Sequence, residues 1–150
     1  MNATHTDFLT KRMQPMSQGE MTIPGGCRCG AVRYSAKAPH NWAGNCHCDD
    51  CRRATGGPYS SWFGVSPQNI EFSGQTVTEY ESSPGIFRGF CSKCGSPMTF
   101  RGDGWDDLAI MIATLDDPNS ITPETHVFLR DRLHWVKYNE DFRLYDGMPG

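Results

Sequence analysis

Along most of this chain, apolar and polar residues alternate over short stretches, or the stretches are rich in β-branched and aromatic residues. AVRYSA (31–36), PYSSWFGV (58–65), QTVTEY (75–80), IFRGFC (86–91), PMTFR (97–101), DLAIMIA (107–113) and THVFLR (125–130) are each bounded by Gly, Pro, Asn, Asp or Ser. Such short, punctuated runs predict seven or so strands and an all-β fold. One segment has a helical signature instead: DDCRRA (49–54), with Asp49 placed to cap its start and Gly56-Gly57 to stop it. A further short turn is expected after Pro118. Residues 1–20 are polar and aperiodic, which predicts a mobile N-terminal arm ahead of a single domain over 21–150.

Composition narrows this picture. A chain of 150 residues defaults to one domain, and its 16 Gly and 10 Pro favour turns and short strands over long helices. The net charge is −3 with Lys and Arg scattered, so a nucleic-acid-binding surface is not expected. No apolar run approaches the ~18 residues of a membrane-spanning helix. The N-terminus lacks the apolar core of an export signal, so the reading places the chain in the reducing cytoplasm. There the seven cysteines are expected to bind metal rather than form disulfides. A small, turn-rich β domain also has a limited core, which metal staples would supplement.

The cysteines fall into three groups: Cys27 and Cys29; Cys46, Cys48 and Cys51; Cys91 and Cys94. FCSKCG has the form of a zinc knuckle, two thiols brought to one ion by a turn that a glycine permits, and GGCRCG carries a glycine in the same place. Joining Cys27 and Cys29 to Cys91 and Cys94 gives a closed site of four thiolates, a structural zinc clipping together distant segments. That leaves three. Three protein ligands and an open position are the arrangement of a catalytic or substrate-binding zinc, so Cys46, Cys48 and Cys51 predict a second ion whose last ligand comes from outside. Other readings stay open at this point. His47, His126 or Asp49 could be the fourth ligand of the second ion, or the trio could be a redox pair with a spare thiol. Arg52 and Arg53 could offset local negative charge or grip an anionic substrate, or both could simply face solvent. Trp62, Phe63, Trp105 and Trp135 could wall a pocket or simply pack, and alternation puts one of Trp62 and Phe63 toward the core and the other away. GDGWDD (102–107) reads as a hairpin loop with solvated aspartates.

GGCRCGAVRY, CHCDDCRRATG, SSPGIFRGFCSKCGSPMTF, IATLDDPNSITPETHVF and the later Trp135 resemble, in order and spacing, the glutathione-dependent formaldehyde-activating enzymes, a family that includes centromere-protein-V-type members. The resemblance covers roughly residues 22–140. It implies a β-tent, antiparallel sheets with short helical turns pinned by a structural zinc, as in methionine-R-sulfoxide-reductase-like domains and small zinc chaperones. By motif, Cys27, Cys29, Cys91 and Cys94 match the structural zinc ligands, and Cys46, Cys48 and Cys51 match the catalytic zinc ligands, two ions per chain. The implied activity is a carbon–sulfur lyase of thiol–aldehyde adducts, forming or cleaving S-(hydroxymethyl)glutathione, with glutathione as the small-molecule partner. The alternatives are a zinc-stabilised module that binds a thiol or a protein without turnover, and a methionine-sulfoxide-reductase-like thiol enzyme. The last chemistry wants a lone reactive cysteine, which a metal-spaced trio is not.

Overall fold

The computed structural model of the chain describes residues 21–149, so the arm expected over 1–20 lies outside the described residues. The described residues form eleven short strands: β1 Thr22–Gly26, β2 Val32–Lys37, β3 Trp42–Cys46, β4 Ser60–Val65, β5 Ile70–Gly74, β6 Thr78–Ser83, β7 Ile86–Phe90, β8 Pro97–Gly102, β9 Leu108–Met111, β10 Thr125–Val127 and β11 Arg143–Leu144. Among the described residues one α-helix, α1, spans Asp49–Thr55. Among the described residues no helix is long and apolar enough to cross a membrane.

The strands form two sheets, a small one in the order β1-β2-β5 and a large one in the order β11-β10-β3-β4-β9-β8-β7-β6. The expected β architecture is present, with one departure from purely antiparallel pairing: β10 runs parallel to both β3 and β11. Parallel neighbours need a long connection between them, and β10 follows β3 only after most of the large sheet has been laid down. β10 is also shorter than THVFLR predicts. Phe128 takes a left-handed backbone (φ 55°), and a 3-10 turn over Leu129–Asp131 ends the strand. A 3-10 turn over Pro118–Ser120 supplies the turn expected there.

Period-2 alternation gives the large sheet two buried faces. Ala43, Phe63 and Ile110 lie in one cross-strand row, and with Val65, Met98 and Leu108 they join Ile23, Val32, Tyr34, Ala36 and Ile70 of the small sheet in the main core. On the other face Trp62 and Ala109 form a second cluster with Cys46 and Cys51, flanked by Cys48, Phe100, Met111, Val127 and Phe128. Both residues of the Trp62-Phe63 pair are therefore buried, Phe63 fully and Trp62 at 5% exposure. Alternation set the direction of each side chain, and the second face carries a core of its own.

Candidate metal centres

The quartet is assembled by two glycine-ended turns. Cys27 opens the turn that follows β1, and Gly30, at φ +80°, closes it by donating its amide to the Cys27 carbonyl. Cys91 follows β7, and Gly95 donates to the Cys91 carbonyl at φ +78°. Both glycines sit where a Cβ is strained, which is the conformation the two knuckles require. The four Sγ atoms of Cys27, Cys29, Cys91 and Cys94 lie within 4.8 Å of one another. Cys27 and Cys29 are 3.5 Å apart, and Cys29 and Cys91 are 3.9 Å apart. Tetrahedral zinc at a Zn–S distance of ~2.3 Å separates its sulfurs by about 3.8 Å, so this spacing fits the ion. Amide donation to sulfur also prepares the site: Val32 N–H points to Cys27 Sγ at 3.3 Å. The Ser96 hydroxyl lies 3.1 Å from Cys94 Sγ, and its hydrogen bond holds the Cys94 thiol down at about 5.

The trio gathers at the opposite face. Cys46 ends β3, Cys48 is the N-cap of α1, and Cys51 sits on its first turn. Asp49, expected as the cap, is instead the first helical residue; the Cys48 sulfur accepts the Cys51 amide at 3.3 Å and takes the capping role. Cys46 and Cys48 sulfurs are 3.4 Å apart, and all three lie within 4.8 Å. Three thiols this close cannot all ionise unaided. Hydrogen bonding from Cys46 and Cys48, then the charge of Arg88, hold Cys51 low, while its contacts with Cys48 and Cys51 and then burial push Cys46 up. A divalent cation removes that conflict by letting all three be thiolates. Thus two cysteine clusters stand ready for metal ions. Among the described residues no His, Asp, Glu or fourth Cys joins the trio.

The neighbouring residues have other engagements. His47 is fully buried and its Nε2 lies 2.9 Å from His126 Nδ1. Burial first, then the charges of His126, Arg132 and Arg52, lower His47 to about 4, and burial lowers His126 as well. Asp49 bonds Arg52 and Arg53. Arg52 reaches the carbonyls of His47 at 2.5 Å and Asp131 at 2.6 Å, tying α1 to the segment after β10, while Arg53 faces solvent. Trp62 walls the trio, with its Nε1 donating to the buried Ser60 hydroxyl at 2.6 Å and its ring 5.7 Å from Phe100. Trp105 packs on Phe100 from the loop between β8 and β9, and Trp135 is exposed. Arg88 was not singled out from the sequence. It is 7% exposed, lies over the Phe100 ring at 4.4 Å, and directs both terminal nitrogens to Cys51 Sγ at 3.8 Å.

Residues 22–131 match the family described as "Glutathione-dependent formaldehyde-activating enzyme". The chain belongs to that family. Among its relatives is a Halomonas elongata protein named "Putative glutathione-dependent formaldehyde-activating enzyme", 31% identical over 142 residues, which cover 86% of this chain and 90% of that one. A crystal structure of a Rhodobacter sphaeroides protein shares the fold, with a TM-score of 0.55 at 20% identity over 65% of this chain and 94% of that one. As a member of the glutathione-dependent formaldehyde-activating enzyme family, the chain belongs with enzymes whose stated co-substrate is a thiol, and its own thiol clusters are the chemistry that bears on it.

Proposed function

We propose that this chain is a zinc-dependent carbon–sulfur lyase of thiol–aldehyde adducts, forming or cleaving S-(hydroxymethyl)glutathione. Cys27, Cys29, Cys91 and Cys94 hold a structural zinc, and Cys46, Cys48 and Cys51 hold a catalytic zinc with one position left for the substrate. The observation that carries this reading is the trio itself: three sulfurs at one point, joined among the described residues by no fourth metal-binding side chain, in a chain of this family. The partial exposure of Cys48 supports approach from solvent, and Trp62 and Phe100 exclude water from the inner side.

In this reading the ion supplies a positive charge that keeps an incoming sulfur as thiolate near neutral pH and fixes its direction. The three cysteines supply the ligands, and Phe128, Val127 and Met111 supply apolar surface beside them. The reaction needs no electron transfer: the thiol gives up its S–H proton, a carbon–sulfur bond forms to the aldehyde carbon, and the carbonyl oxygen takes a proton. Cleavage is the reverse. His47 and His126 are turned to one another, so neither is assigned the proton transfer. The substrate would be met in the reducing cytoplasm, which suits a chain whose seven cysteines are all free thiols.

Thiols add to small aldehydes unaided, so the test is a rate. Exchange spectroscopy of glutathione, formaldehyde and their adduct should show faster interconversion with the zinc-loaded protein than in buffer, and Cys48→Ser should abolish the difference. Interconversion at the buffer rate with glutathione still bound would assign the site to a thiol carrier instead.

A further inference from the structure

A trio of thiolates around a divalent ion already carries a net negative charge, and a fourth sulfur anion adds another. An anion joins an anionic, half-buried site only where something offsets the repulsion. Among the described residues the fold places a buried cation there, Arg88. Arg88 belongs to a cross-strand row on the trio's face of the large sheet, in register with Phe100 on β8, which is in turn opposite Ala109 on β9. Its guanidinium is held from one side by the Phe100 ring at 4.4 Å, and both terminal nitrogens point to Cys51 Sγ at 3.8 Å. Among the described residues no carboxylate pairs with it, and its charge is directed at the sulfurs. A buried guanidinium with this geometry is expensive unless it faces negative charge.

We infer that Arg88 is a specificity-determining residue of the trio: its fixed charge makes the last position at the metal prefer an anionic sulfur ligand to a neutral one. This rests on the reading of the trio as a thiol-accepting metal site. Arg88 is a positioning residue in this scheme. It acts on the incoming ligand through the charge it adds beside Cys51, and it breaks or forms no bond of the substrate. The planar guanidinium over Phe100 also fixes where that charge sits, which a flexible ammonium does less well.

The experiment uses the full chain loaded with cobalt(II), whose spectrum reports each new ligand at the trio while the quartet stays saturated by its own thiols. Glutathione and imidazole are titrated separately into wild type, Arg88→Gln and Arg88→Lys. A charge some 4–8 Å from the entering sulfur predicts that Arg88→Gln weakens glutathione binding about ten- to a hundredfold and imidazole binding less than about twofold. Arg88→Lys should recover a substantial part of the glutathione affinity. Should Arg88→Gln weaken both ligands alike, or Arg88→Lys behave as Arg88→Gln, Arg88 is a packing residue and the inference is overturned, with the proposed function left standing. If wild type takes up imidazole but no glutathione, both the inference and the proposed function fall.

Discussion

Trp62 and Phe63 are chain neighbours on β4, yet each is buried in a different core: Phe63 among the residues that pack around Cys27 and Cys91, Trp62 among those that pack around Cys46 and Cys51. One sheet therefore separates the two thiol clusters. The quartet ties the small sheet's first turn to the β7–β8 turn of the large sheet, whereas the trio is built from the end of β3 and the short helix after it. Loss of the two clusters should have unequal consequences.

Cys94→Ser should unfold the chain or leave it severely destabilised, because a structural zinc site contributes on the order of 10 kcal/mol to the folded state of a small domain. Cys48→Ser should leave it folded with one fewer bound zinc, since serine is itself a good N-cap for α1. Circular dichroism with metal counting checks both. Equal unfolding of the two variants would make the trio structural.

Arg101 and Glu79 form a buried two-point ion pair across β8 and β6, at 3.0 and 2.8 Å, with the guanidinium also 4.2 Å from the Phe87 ring. Their side chains are 7% and 0% exposed. Glu79→Ala removes both short bonds and leaves the buried guanidinium facing the exposed Asp103 carboxylate at 3.8 Å, so it should cost about 2–4 kcal/mol in urea unfolding. A loss under about 1 kcal/mol would mean that the pair is effectively solvated.

Burial, opposed by the hydrogen bond with Thr114, pushes the Tyr34 phenol up to about 12. The unfolded phenol ionises near ~10, so between these values the unfolded chain releases a proton that the folded chain keeps. Stability should be full below pH 10 and fall by up to about 2–3 kcal/mol as pH rises to 12. The fall should be missing in Tyr34→Phe, and the phenolate absorbance lost in that variant should be the part that appears above pH 10.

The division of the cysteines was legible because it depends on local spacing and on a count, and both survive without knowledge of the fold. Strands β2, β4, β7, β8 and β9 were legible for a similar reason, each being an apolar run between turn residues. β1 was not, since Pro24, Gly25 and Gly26 are all residues that disfavour a strand interior. It lies at the edge of the small sheet, where a missing amide donor is tolerated. β3, with Gly44 and Asn45, is a strand only because β4 and β10 flank it. Arg88 was illegible because its meeting with Cys51 depends on the register of β7 with β8 and on where α1 lies, neither of which is local. Arg52 was read as charge-offsetting, substrate-gripping or solvent-facing; it pairs with Asp49, and beyond those readings it braces two backbone carbonyls.

A crystal of the reduced, zinc-replete protein soaked with glutathione, with anomalous data collected at the zinc edge, tests the central claim most directly. The account predicts two peaks per chain, one enclosed by Cys27, Cys29, Cys91 and Cys94, the other bound by Cys46, Cys48 and Cys51 with the glutathione sulfur as its last ligand. A protein side chain in that last position, or no peak at the trio, would contradict it.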